Sequence, residues 1–265
     1  MSHGSTASAA VAGPAQRRAP ASPSQPHDPG GAADEDAAQA QRRAAAERAV
    51  QWVEDGMALG FGTGRAAGHA LEALAARVQR EGLRICGVPS SRGTEQKARD
   101  LGPPLTTLEE HPHLDLTIDG ADEVDPHNRL IKGAGGALLR EKVLAAAARR
   151  LIIVVEQPKL VPRLGTTRRV PLEVLPFAWA VCADHLRALG GEPVLRRGED
   201  GAPALTDNGN WVLDCTFPPE QMAHPAQVDR AARRIPGVLE TGLFWSFHPT
   251  VVVGEPTGTR VLRGR

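Results

Sequence analysis

The chain has 265 residues, 41% of them hydrophobic, enough for one large domain or two modest ones with real cores. Lysine plus arginine and aspartate plus glutamate each number 31, a formal net charge of zero, so bulk charge gives no reason to expect a nucleic-acid or membrane partner. Three widely spaced cysteines (Cys86, Cys182, Cys215) predict reduced thiols in a cytoplasmic protein, and no apolar run approaches the ~18–20 residues of a membrane span.

Residues 1–38 are Ala, Pro, Ser and Gly with almost no large apolar side chain, which predicts a disordered tail. The tail lacks the apolar core of a secretory signal, and Asp28, Asp34, Glu35 and Asp36 argue against a transit peptide. A helix is expected from Gln39 to Val53, a strand over Met57–Phe61, and a helix over Ala66–Arg80 with Leu71, Leu74 and Val78 on one stripe. Strand Leu83–Val88, helix Thr94–Leu101, a strand ending before Asp119 and a short strand before Lys132 follow. Next come a helix carrying Glu141 (Ala137–Arg150) and the β-branched strand Leu151–Val155.

This alternation predicts an α/β fold, a doubly wound, mostly parallel sheet. After Lys159 the order changes to strand (Val170–Val174), helix (Trp179–Leu189), two strands (Pro193–Arg196, Asn210–Cys215) and helix (Pro225–Arg234), a smaller inserted α+β domain. Leu243–Val253 and Arg260–Leu262 are extended and return to the first domain. The predicted division is therefore 1–38 tail, 39–167 plus 242–265 α/β domain, and 168–241 small domain.

The densest chemistry lies between Leu116 and Lys142. An apolar strand stops at Asp119-Gly120-Ala121-Asp122, and a second run delivers Lys132 into the loop Gly133-Ala134-Gly135-Gly136. A helix bearing Glu141 then begins. Each residue alone has an ordinary explanation, since Asp-Gly and Gly-Gly punctuate turns and Glu early in a helix suits the macrodipole. Together, at strand ends and a helix start, they make a site for a small anion. The turn Gly62-Thr63-Gly64-Arg65-Ala66 between a strand and a helix is a second anion-binding arrangement. A dinucleotide fold would need an acidic residue some 20 positions on, where this chain has Gly87-Val88-Pro89-Ser90-Ser91, and no Walker A sequence occurs. No CxxC, HExxH or clustered histidines are present, so no metal site is expected.

Asp119-Gly120-Ala121-Asp122-Glu123 and Ile131-Lys132-Gly133 through Arg140-Glu141-Lys142 resemble the type A ribose-5-phosphate isomerase family. Pro158-Lys159-Leu160-Val161, Thr206-Asp207-Asn208-Gly209-Asn210 and Ile235-Pro236-Gly237-Val238 support it, and the resemblance spans about residues 41–261. It implies Glu141 as proton acceptor, with Asp119, Asp122 and Lys132 as the other catalytic groups. It further implies that Thr63, Gly64, Arg65, Ala66, Gly120, Ala121, Gly133, Ala134, Gly135 and Lys159 bind a small-molecule sugar phosphate. No cofactor or metal is implied; a homodimer is.

The chain departs from the family pattern at Arg65-Ala66, where a Ser-Thr pair is usual, and at Ala134, where a glycine is usual. Arg65 either forks onto phosphate or points to solvent; an alanine at positive φ would cost about 1 kcal/mol. Two other readings stand beside the isomerase: a non-catalytic sugar-phosphate sensor, and an isomerase or deaminase of another phosphorylated sugar. Phe244, Trp245 and Phe247 are read as ordinary core residues in preference to a subunit contact.

Overall fold

The computed structural model describes Met1 and residues 32–264. Its first helix, α1 (Ala32–Ala49), begins at Ala32, ahead of the predicted Gln39. The alanine-rich run has high helix propensity, and Asp34 and Glu35 sit in its first turn, where the helix dipole favours anions. Glu35 also accepts hydrogen bonds from Arg42 (3.0 Å) and Arg65 (2.8 Å), which ties this turn down. The rest of the tail expected to be disordered, residues 2–31, lies outside the described residues.

The chain then alternates β1 (Ala58–Phe61), α2 (Arg65–Glu81), β2 (Cys86–Pro89), α3 (Arg92–Leu101) and β3 (Leu116–Gly120). Helix α2 stops at Gly82, whose φ of +68° closes the last turn, and α3 starts at Ser91, whose side chain accepts from the Thr94 amide. Two short strands, β4 (Glu123–Val124) and β5 (Leu130–Ile131), lead to α4 (Leu138–Ala147) and β6 (Leu151–Glu156). The remainder is β7 (Val170–Val174), α5 (Trp179–Ala188), β8 (Glu192–Leu195), β9 (Trp211–Thr216), the short α6 (Pro219–Met222), α7 (Pro225–Ala232), β10 (Val238–Thr241), β11 (Leu243–Phe244), β12 (Thr250–Glu255) and β13 (Gly258–Leu262).

Six strands form the main sheet in the order β13-β12-β6-β3-β1-β2, parallel except for β13. Every residue of β6 is buried because both faces are covered. Ile152 and Val154 join Leu71, Leu74 and Ala46 on one face, while Leu151, Ile153 and Val155 meet Leu130, Phe244 and Val251 on the other. A separate antiparallel sheet, β10-β7-β9-β8, packs Leu172, Val174 and Leu213 against Cys182 and Leu186 of α5 and Val228 of α7. A third sheet, β11-β5-β4, joins two strands that lie between β3 and β6 in the chain to one that follows β10, and Lys132 comes directly after β5.

Beyond the start of α1, several details differ from the sequence reading, among them the short β4 and α6. Strand β10 was not anticipated; it pairs with β7 at the sheet's edge. The single extended run expected over Leu243–Val253 is broken, because β11 pairs with β5 whereas β12 pairs with β6, and the chain turns between them through His248 at φ +45°. Phe244 is fully buried, Trp245 donates to Asp229 at 2.9 Å, and the three cysteines are free thiols. No helix among the described residues is long and apolar enough to cross a membrane.

Helix α1 crosses β12 so closely that a Cβ on Gly254 would lie 1.9 Å from the Gln41 carbonyl oxygen. Gly254→Ala should therefore lift the helix and cost about 1–3 kcal/mol, as overpacking does. An unchanged urea midpoint would show that α1 is not seated there.

Candidate active site

Strands β1 and β3 are neighbours, and the chain leaves β1 toward β2 on one side and β3 toward β6 on the other, so the connections diverge between them. Such a switch point opens a crevice at the carboxyl ends of the strands. Thr63 follows β1 and Asp119 lies at the end of β3. The two loops approach so closely that a Cβ on Gly62 would fall 2.2 Å from Asp119 Oδ1, which leaves room for glycine alone.

Lys132 sits at the centre, 2% exposed. Its Nζ donates to the Gly120 carbonyl (2.7 Å) and lies 3.0 Å from Asp119 Oδ2 and 3.3 Å from Glu141 Oε1. Burial alone would lower this ammonium, but the carboxylates of Asp119 and Glu141 more than offset it and hold it above the usual lysine range. Asp119 is pushed up by burial despite Lys132. Glu141, in the first turn of α4, is raised to about 8 by burial and by the neighbouring Asp119 charge. Its Oε2 is buried without a hydrogen-bond partner among the described residues. A reluctant carboxylate with one oxygen unpartnered in a cleft is a poised acid–base group.

The cleft is lined by Thr63, Gly64, Arg65, Ala66, Gly120, Ala121, Asp122, Lys132, Gly133, Ala134, Gly135, Glu141 and Lys159, which brings together every expected residue except Asp119. Asp119 lies behind Lys132. Its Oδ1 accepts from the amides of Thr63 (3.2 Å) and Gly120 (2.7 Å), so it organises the two loops from beneath. Asp122 accepts from the Ala134 amide at 2.9 Å. Ala134 itself needs no strained backbone, since among the described non-glycine residues only Asn128 and His248 have positive φ. Gly133 takes the turn instead, at φ +105°.

At the other end of the cleft, Gly64 (φ +102°) opens α2 with no side-chain cap, leaving its first amides free for an anion. The Thr63 hydroxyl is occupied inward by Ser90 (2.6 Å) and Ser91 (2.8 Å). The Arg65 side chain is 66% exposed and bound to Glu35.

Two lining residues were not foreseen, Arg42 and Glu156. Glu156 had a signal, a charge ending an apolar parallel strand. Arg42 had none, being one arginine among several on an exposed-looking helix. It is 3% exposed, with Nε 3.4 Å from Glu156. Lys142, next to Glu141, faces away; it is buried against Glu240 (3.0 Å) and the carbonyls of Thr241 and Leu243. The Thr206–Asn210 motif is structural, since Thr206, Asn208 and Asn210 all donate to the buried Glu173 Oε1.

A parallel α/β sheet with a buried lysine–carboxylate cluster facing a helix N-terminus defines a protein that handles a small anionic molecule by acid–base chemistry. The chain belongs to the ribose 5-phosphate isomerase A (phosphoriboisomerase A) family, which residues 86–258 match. It is 51% identical over 218 residues to ribose-5-phosphate isomerase A of Roseiflexus castenholzii, covering 82% of this chain and 92% of that one. It is 46% identical over 231 residues to the protein of that name from Methanoregula boonei, covering 86% and 95%. Among solved structures, ribose 5-phosphate isomerase A of Methanocaldococcus jannaschii superposes with a TM-score of 0.81 at 35% identity, over 87% of this chain and 99% of that one. A D-ribose-5-phosphate isomerase in complex with phospho-erythronic acid gives 0.82 at 34% identity, over 85% and 99%.

The raised Glu141 has a consequence for stability. The fold holds this proton up to about pH 8, whereas the ordinary carboxyl loses it near 4.5, so the contribution is full below 4.5 and is lost as pH rises through 8. Glu141→Gln never ionises. Its melting temperature should gain on the wild type by a few degrees between pH 5 and 9. Parallel melting curves across that range would contradict the buried-carboxyl picture.

Proposed function

We propose that the chain interconverts D-ribose 5-phosphate and D-ribulose 5-phosphate through a cis-enediolate, with Glu141 as the base. The observation that carries this reading is the buried, unpartnered Glu141 Oε2 beside Lys132 in a cleft that ends at a helix N-terminus. The names of the relatives support it, as does the solved relative in complex with phospho-erythronic acid, a phosphorylated sugar acid.

In this mechanism the phosphate rests on the first amides of α2, with Arg42 and Lys159 supplying positive charge from the cleft wall. That remote binding places C1 and C2 of the opened sugar at Glu141. Glu141 takes the C2 proton and returns it to C1. The negative charge that develops on oxygen is met by the Lys132 ammonium, a type of contact commonly worth about 3–4 kcal/mol. Asp122, at the rim, carries the hydroxyl proton from O2 to O1, and Asp119 holds Lys132 in place. The reaction needs no metal or organic cofactor.

The same reading places the enzyme in the cytoplasm as a homodimer. Leu175, Phe177, Val181 and Leu239, exposed apolar residues on or next to β7, α5 and β10, offer area for a subunit contact. Light scattering should then give twice the chain mass.

Ketopentose formation from ribose 5-phosphate, measured for the wild type and Glu141→Gln, tests the chemistry. The variant should lose on the order of 10²–10⁴-fold in kcat while still binding the phosphate ester. Because Glu141 must be ionised to act, wild-type kcat/KM should rise with pH along an acid limb displaced from 4.5 toward about 8. Hexose phosphates assayed beside ribose 5-phosphate would reveal a pocket redirected by Arg65.

A further inference from the structure

The loop after Lys132 has one turn bond of its own, from the Gly136 amide to the Gly133 carbonyl at 3.0 Å. Gly133 packs near Leu138 and Pro171, but Ala134 and Gly135 are exposed. Behind them lies a second cleft of about 280 Å³ that shares Asp122 and Ala134 with the active cleft, so the loop is a thin wall between two spaces. A glycine-rich wall with no packed core behind it does not hold an orientation by itself.

Arg196, at the end of β8 in the second sheet, reaches across to this wall. Its Nη1 donates to the carbonyls of both Gly133 (3.1 Å) and Ala134 (2.9 Å). Its Nε and Nη2 are held by Asp214 of β9 at 2.8 and 2.5 Å in a bidentate pair whose members are 15% and 7% exposed. The guanidinium is planar and rigid, so fixing one edge on Asp214 fixes the other. In a trans peptide the carbonyl and the following amide point in opposite directions. Pinning the Gly133 carbonyl therefore sends the Ala134 amide the other way, where it meets Asp122 at 2.9 Å. Pinning the Ala134 carbonyl likewise turns the Gly135 amide away from Arg196, and that amide has no partner among the described residues although Gly135 lines the active cleft.

We propose that Arg196, locked by Asp214, is a positioning residue that orients the 133–135 peptides so that Asp122 is held and the Gly135 amide is presented to the substrate oxygens. Arg196 touches neither the base nor the lysine; it acts through the loop. The second sheet thereby becomes part of the catalytic apparatus, although none of its own side chains lines the active cleft. This proposal rests on the isomerase reading of the cleft.

The test compares wild type, Arg196→Gln, Arg196→Lys and Asp214→Asn in steady-state kinetics and in amide hydrogen exchange. A loosened loop misplaces a transition-state donor and leaves the phosphate anchor alone. Arg196→Gln should lose about 100-fold in kcat, the scale of a 1 Å misplacement, with KM changed by less than about threefold. Arg196→Lys, which keeps one donor, should recover roughly a tenth to a third of the wild-type rate. Exchange should quicken at the Ala134 and Gly136 amides, bonded to Asp122 and to the Gly133 carbonyl, in Arg196→Gln and Asp214→Asn, with β7 and β9 still protected. Retention of kcat within about threefold, or exchange that rises through β7, β8 and β9 with no excess at the loop, would overturn the proposal in favour of a merely structural ion pair. If the wild type turns over no pentose phosphate, the functional reading falls, and loop exchange still decides whether Arg196 sets the loop.

Discussion

An ammonium group buried to 2% exposure cannot stay charged without partners, because the effective cost of removing such an ion from water is several kcal/mol even after relaxation. Lys132 therefore dictates where everything around it must be. The end of β3 supplies both Asp119 and the Gly120 carbonyl, and α4 supplies Glu141. Two carboxylates share one cation. Burial raises both carboxyls; Asp119 is further tied by two backbone amides, whereas Glu141 lines the cleft with one oxygen unpartnered among the described residues. A base of raised proton affinity is thus a by-product of the way Lys132 is accommodated.

This arrangement requires elements from two sheets to meet. The parallel sheet provides the crevice at its switch point, but Lys132 comes from the small β11-β5-β4 sheet, and its amide donates to the Gly242 carbonyl just before β11. Helix α4 is tied to the antiparallel sheet through Lys142 and Glu240, and its Arg140 donates to Asn208 at 2.7 Å. Arg196 adds a third link at the loop. Catalytic geometry is sensitive to displacements of an ångström, and three links of this kind hold the site more firmly than its glycine-rich loops could alone.

The phosphate end shows how the chain's departure from its family pattern is absorbed. Arg65 does not insert into the cleft as a fork; it lies at the rim on Glu35, supplied by the early turns of α1. The free amides at the start of α2 do not depend on the side chain at position 65. Arg42, buried beneath the same Glu35, brings the fixed positive charge that Arg65 holds further out.

The alternation of apolar strands and amphipathic helices was legible in the sequence because burial on both faces of a parallel sheet leaves long apolar runs such as Leu151–Val155. Asp119, Asp122, Lys132 and Glu141 were legible because each interrupts such a run, or stands at a helix start, where burial alone gives no reason for charge. Less could be read where pairing is decided by distant segments. Strand β10 and the break between β11 and β12 depend on partners dozens of residues or more away. The same holds for single side chains. Nothing local separates Arg42 from Arg43, or Arg196 from Arg197. The difference arises only when tertiary structure sets Glu156 beside one and the Gly133 and Ala134 carbonyls beside the other, since an ion pair or a hydrogen bond depends on a distance that the order of residues along the chain does not contain.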